Sequence, residues 1–151
     1  MRMVLHEPIT SFRGYYGWLS NFYKLPFDYK GVTYPTAEHA YQAAKSSNSA
    51  WAHVIGEAST PALAKKLGCE APMWNNWDDI KVEEMTEILR EKFKIPGLRK
   101  LLVQTAPREL IEGNTWGDTF WGVCRGEGAN HLGQCLMKVR QEIIDAEKGI
   151  D

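Results

Sequence analysis

The sequence predicts an α+β fold that is predominantly helical, with a small antiparallel sheet built from the N-terminal region. Two observations carry this. Phe27–Tyr34 alternates in polarity around Lys30-Gly31, the pattern of two short strands joined by a tight turn whose glycine supplies a positive φ. Beyond Thr36, helix caps and apolar residues at three- and four-residue spacing take over. In chain order, Thr36 caps a helix running to about Ser46. Thr60, Pro61 and Gly68 supply the cap, first-turn proline and closing glycine of a short helix. Asp78 opens a longer one whose apolar stripe is Val82, Met85, Leu89 and Phe93. Leu98, Leu101 and Leu102 mark a further helix after Pro96. Arg108–Glu112 reads as a short strand, and Asn130 caps a final helix with Leu132, Leu136, Val139 and Ile143 on one face.

With 151 residues, 44% hydrophobic and 25% charged, the chain has the composition of an ordinary soluble globular protein. It shows no internal repeat, low-complexity tract or linker, so residues 1–151 read as one domain with a single sizeable core. No apolar run is long enough to span a bilayer, and MRMVLHEP lacks the apolar segment of a signal peptide. The cytoplasm is therefore the expected location, with no membrane partner. A net charge of −1 argues against a broad duplex-DNA face, though not against contact with one or two phosphates. Three cysteines without a Cys-x-x-Cys speak against a disulfide framework. His131 and Cys135 would lie one helical turn apart, with Cys124 nearby, but zinc needs a fourth ligand and Cys69 is remote in sequence. No metal is expected, and Cys135 reads as a small core residue on a helix.

Three segments combine aromatics, amides and ionisable groups too closely for core packing alone: LSNFY at Leu19–Tyr23, YPTAEHAYQAAK at Tyr34–Lys45 and WGDTFWG at Trp116–Gly122. Together they describe a flat aromatic slot with a charged edge, suited to a planar, polar ligand such as a nucleobase on a sugar phosphate. On the helix from Thr36, Glu38 and Lys45 share a face, with Tyr41 and Gln42 between them on nearly the same side. The plain alternative is a solvated face with a tyrosine packed at its edge. The helix dipole favours an ionised Glu38 in the first turn, which places it as a base or as a carboxylate facing a cationic transition state. Service as an acid would require burial or a neighbouring acid. Asp118 lies between Trp116 and Trp121, flanked by Gly117 and Gly122. It either borders the slot or caps a turn whose indoles fill the core. The Gly126–Asn130 loop enters the last helix and would offer backbone N–H groups to a phosphate, although it matches neither the P-loop nor the dinucleotide fingerprint.

These blocks, together with WDDIKVEEMTEILREKF, Glu112 and GEGANHLGQCLMKVR, run in order from about Phe12 to Arg140. In that order they resemble the NADAR, or YbiA-like, family. The resemblance implies a compact, mainly helical YbiA-like fold, a link to NAD and ADP-ribose metabolism, and N-glycosidase activity. Some members cleave phosphoribosylamino-pyrimidine intermediates of riboflavin synthesis, and others remove ADP-ribose from guanine bases. By motif, Glu38 matches the family's acid in its EH pair, Lys45 ends that helix motif and Asp118 precedes the WG; the working assignment of these three catalytic residues is Glu38 as main acid/base, Asp118 as positioning or second carboxylate, and Lys45 as nucleophile or phosphate contact. Substrate contacts are expected from Arg13, Asn21, Phe22 and Tyr41, and from Trp77, Trp121, Gly122 and Asn130. No cofactor is implied. The expected partner is a small nucleotide or ribosylated base, or an ADP-ribosylated nucleic acid. In one departure, WGVCRGEGAN places Cys124 and Arg125 where many relatives have a shorter glycine-rich turn, which bears on substrate choice. Elementary chemistry agrees with such a reaction: breaking a C–N glycosidic bond builds positive charge on the ribose and negative charge on the departing base. A carboxylate answers the first and a proton donor the second. A non-catalytic module for ADP-ribose or another NAD derivative would keep the slot and turn nothing over. The presence of both Glu38 and Asp118 at motif positions favours the enzyme.

Overall fold

The computed structural model describes residues 7–149, so most of the N-terminal segment read for a leader lies outside the described residues. These comprise seven helices and two two-stranded sheets, and they divide into two compact units, Asn21–Lys92 and the chain on either side of it. No helix among them is long and apolar enough to cross a membrane.

In the unit Asn21–Lys92, strands β1 (Phe27–Tyr29) and β2 (Val32–Tyr34) form the expected antiparallel hairpin, pairing Phe27 with Tyr34 and Tyr29 with Val32. Lys30 and Gly31 take φ of 49° and 84°, the left-handed pair that a two-residue turn needs to match the strand twist. Phe27 and Tyr29 are buried while Asp28 faces out. Thr36 then caps helix α1 (Ala37–Lys45), its hydroxyl accepting from the His39 N–H at 3.1 Å. The His39 ring bonds Thr36 Oγ1 at 2.8 Å and the Ala58 carbonyl at 2.9 Å, pinning the helix start to a later turn.

Helix α1 is enclosed by α2 (Ser49–Gly56), α3 (Pro61–Glu70) and α4 (Trp77–Lys92), and every residue from Ala37 to Ala43 is buried. The sequence reading did not foresee α2. SAWAHVIG is short and has no charged face to show its period, and its start is marked only by Asn48, whose side chain accepts from Trp51 N–H at 3.0 Å. Thr60 and Pro61 open α3 as expected. Gly68 does not close it, however, because the helix continues to Glu70. Gly68 is instead where α3 comes close to α1: a Cβ there would collide with the Gln42 side chain. Helix α4 opens at Trp77 and buries Met85, Ile88 and Leu89, with Phe93 buried just past its end. A small apolar cluster of Ala43, Ile55 and Ala64, flanked by Tyr34 and Leu67, holds α1, α2 and α3 together.

The other unit contains a 3-10 helix (Gly14–Leu19), α5 (Pro96–Gln104), the two-residue parallel strands β3 (Gly113–Asn114) and β4 (Val123–Cys124), and α6 (His131–Glu147). The strand expected at Arg108–Glu112 is reduced to one bridge. Ile9 N–H bonds Glu109 O and Ile111 N–H bonds Ile9 O, each at 2.8 Å, and among the described residues no ladder extends from there. The Asn130 side chain takes over beyond it, accepting from Glu112 N–H and donating to the Leu110 carbonyl, both at 2.9 Å. This also corrects the expected cap. Asn130 precedes α6 with φ 56°, and its side chain bonds the preceding segment rather than the helix N–H groups. Leu132, Leu136 and Val139 bury the expected face of α6, Ile143 is half-buried, and Cys135 lies in the core.

Candidate active site

Glu38, Tyr41 and Gln42 are each less than a tenth exposed and Lys45 is half-buried, so the solvated-face alternative for α1 fails. The sequence shows an amphipathic polar face, but α3 and α4 cover it. Glu38 is held at both ends: its backbone N–H donates to the Asn21 carbonyl at 3.0 Å, and Gln42 Nε2 donates to its Oε2 at 2.7 Å. Lys45 lies in the same field of charge. Burial pushes its ammonium below the ordinary lysine value, while Cys69 and Glu38 pull upward and Lys81 and Lys65 downward. A carboxylate neighbour alone would have made this amine a poorer nucleophile; desolvation overcomes it. Half-buried and eased toward its neutral form, Lys45, the single lysine of α1, is suited to act as a nucleophile.

The aromatic expectations divide. Tyr41 and Trp77 are both buried and pack on each other, ring centroids 5.3 Å apart at 54°. Phe22 is 44% exposed and open to a ligand. The Asn21 amide nitrogen meets Met85 Sδ at 3.6 Å, and its oxygen is buried without a hydrogen-bond partner. A groove of about 510 Å³ runs along the side of α1 that carries Ala43 and Ala44, lined also by Tyr34 and Trp74; neither Glu38 nor Lys45 lines it.

In the other unit, Asp118 Oδ1 accepts from Phe120 N–H at 3.1 Å and Trp121 N–H at 2.9 Å. Asn114 reinforces the same turn, accepting from Asp118 N–H at 3.0 Å and donating to its carbonyl at 2.9 Å. The Asp118 carboxylate therefore works on the local backbone. Trp116 is 56% exposed with the Arg13 guanidinium 5.4 Å from its ring centre. Trp121 meets Phe120 edge-on at 4.9 Å. Gly122 has no room for a side chain, since Glu112 and Asn114 press against it. The phosphate role read into Gly126–Asn130 is not supported by the geometry. Ala129, Asn130, His131 and Leu132 donate their N–H groups to the carbonyls of Thr119, Gly122, Phe120 and Trp121, so these four are engaged within the chain.

Gln42, absent from the residues expected at the site, joins it by bonding Glu38. Its spacing of four from Glu38 is the signal that would have found it.

A family model described as the NADAR domain matches residues 11–144. N-glycosidase YbiA of Escherichia coli (strain K12) is 38% identical over 132 residues, 85% of this chain and 82% of that protein. An N-glycosidase of Nostoc punctiforme is 37% identical over 135 residues, 85% and 86% of the two chains. A riboflavin biosynthesis protein of Vibrio vulnificus is 38% identical over 146 residues, covering 93% of this chain and 40% of its own. The NMR structure of E. coli YbiA superimposes with a TM-score of 0.84 at 34% identity, over 93% of this chain and 86% of that one. On sequence and on fold alike, the chain belongs to the NADAR family.

Proposed function

We propose that this N-glycosidase hydrolyses the bond between a ribose phosphate and the amine of a pyrimidine intermediate on the route to riboflavin. The observation that carries the reaction is the α1 pair: a buried Glu38, bonded by Gln42, in the same field of charge as a half-buried Lys45. The riboflavin biosynthesis relative, which matches 93% of this chain, supports the substrate class. Lys65 and Lys81 add positive charge around Lys45, which suits a phosphorylated sugar.

The chemistry follows from those groups. The neutral Lys45 amine attacks the ribose C1, and the C–N bond breaks with its electron pair passing to the departing amine. Glu38 takes the proton released by the Lys45 nitrogen and delivers it to that amine. The ring opens to an imine on Lys45, and water hydrolyses the imine to free the sugar and restore the lysine. A pure binding module would have no use for an acid and an eased amine on one helix face.

The test is base release from a phosphoribosylamino-pyrimidine, run in parallel with ADP-ribosylated guanine. Turnover of the pyrimidine is expected. Release from the guanine substrate alone would replace the substrate class, and tight binding of either without release would replace the enzyme with a binding module.

A further inference from the structure

Glu38 and Gln42 stand four residues apart on α1, neighbours on one helix face. Gln42 is 5% exposed, and its amide nitrogen donates to Glu38 Oε2 at 2.7 Å. The other end of that amide is anomalous. Gln42 Oε1 is buried without a hydrogen-bond partner, a costly state for a carbonyl oxygen. It points at Gly68 on α3, where the missing side chain leaves room for it. A Cβ at Gly68 would strike Oε1 and lie 2.8 Å from Gln42 Cδ. Turning the amide by half a revolution gives no relief, because its oxygen would then oppose the Glu38 carboxylate, acceptor against acceptor.

We infer that Gln42 is a positioning residue that fixes the plane and the charged form of the Glu38 carboxylate, with Gly68 as the seat that keeps its amide turned that way. This rests on the reading of Glu38 as the acid/base group. An amide N–H on a carboxylate favours the ionised form, the form Glu38 needs to accept the proton from Lys45. The unsatisfied oxygen is tolerated because the only orientation that would relocate it withdraws the donor from Glu38. Further along the same face lie Tyr41 and Lys45 on α1, and Lys45 feels Cys69 and Lys65 on α3 and Lys81 on α4. Among the elements packed on α1, α2 contributes His53 and β2 contributes Tyr34, while His39 is tied to Thr36 and Ala58.

Gln42→Met keeps the length of the side chain and removes the donor, and Gly68→Ala pushes the amide off its seat. In Gln42→Met the carbon-13 titration of the Glu38 carboxyl is expected to move up by roughly one pH unit relative to wild type. The acid limb of kcat/KM should follow by the same amount, with kcat down about tenfold and KM within about twofold. Gly68→Ala should shift both in the same direction. In the wild-type protein, which needs no variant to fold, the Gln42 side-chain amide protons should shift with the Glu38 titration. A Glu38 midpoint unmoved in Gln42→Met overturns the inference, as does an acid limb that stays while the midpoint moves. Amide protons that ignore the Glu38 titration overturn it too. The NMR readings use no substrate, so a wild-type protein that releases no base from the pyrimidine would count against the proposed function and leave this test intact.

Discussion

On helix α1 the polar side chains Glu38 and Gln42 face each other, whereas around the Trp116–Asn130 loops Asp118, Asn114 and Asn130 face the backbone. Around α1, Gln42 meets Glu38, and Lys45 feels Glu38, Cys69, Lys65 and Lys81. Around the Trp116–Asn130 loops, Asp118 and Asn114 bond N–H and carbonyl groups of their own turn, and Asn130 ties Leu110 and Glu112 to the start of α6. A side chain bonded to the backbone of its own turn fixes that loop. A side chain bonded to another ionisable group has its charge state tuned. On the proposed function the chemistry lies on α1, while Asp118, Asn114 and Asn130 shape the loops.

The strongest way to break this assignment is Glu38→Gln. The amide keeps an oxygen for Gln42 Nε2 and removes only charge and proton transfer. Base release should fall by at least about a hundredfold with an unchanged melting curve. Wild-type turnover would move the acid/base role off α1.

A second buried charge in the same unit sharpens the comparison from the side of stability. Lys92 is 1% exposed, with Nζ 5.9 Å from the Tyr23 ring centre, and burial pushes its ammonium down to about 7. Its folded value lies below the ordinary lysine value of 10.5, so between those two pH values the unfolded chain binds more protons. Stability therefore rises with pH across that window, and below about pH 7 the burial penalty is felt in full. Lys92→Met removes the titrating amine, so the rise in stability between about pH 7 and pH 10 should be lost relative to wild type, as read by denaturant unfolding at each pH. A stability difference between variant and wild type that is independent of pH would contradict the buried-charge account.

The smallest expected effects separate the two roles open to Asp118. Asn caps as well as Asp does, so Asp118→Asn should keep activity within about tenfold and leave the melting temperature nearly unchanged. Asp118→Ala, which strips the acceptor from Phe120 and Trp121, should lose roughly 1 kcal/mol of stability. A hundredfold loss of turnover in Asp118→Asn would restore it as a second catalytic carboxylate.

Much of this was legible in the sequence where a local signal sufficed. Thr36, Thr60 and the Lys30-Gly31 turn announce α1, α3 and the hairpin through backbone chemistry alone. Environment was not legible. The α1 face carries Glu38, Gln42 and Lys45, a pattern that reads as surface, and only the packing of α3 and α4 buries it. Gly68 looked like a helix stop because its purpose is set by a side chain 26 positions earlier in the chain. The loop before α6 looked like a phosphate cradle because the partners of its Ala129 and Asn130 N–H groups, the carbonyls of Thr119 and Gly122, come from another turn. Lys92 ends a helix full of charge, and nothing in its neighbours marks it as buried.

The most direct test of α1 as the seat of catalysis is to trap the sugar on Lys45. Borohydride added during turnover reduces an imine to a stable amine, so mass spectrometry of the digested protein should find the peptide ending α1 with a reduced pentose phosphate on Lys45. Lys45→Arg should give no adduct and almost no base release, because a guanidinium stays protonated. A Lys45 peptide that remains unmodified while free base accumulates would contradict the account.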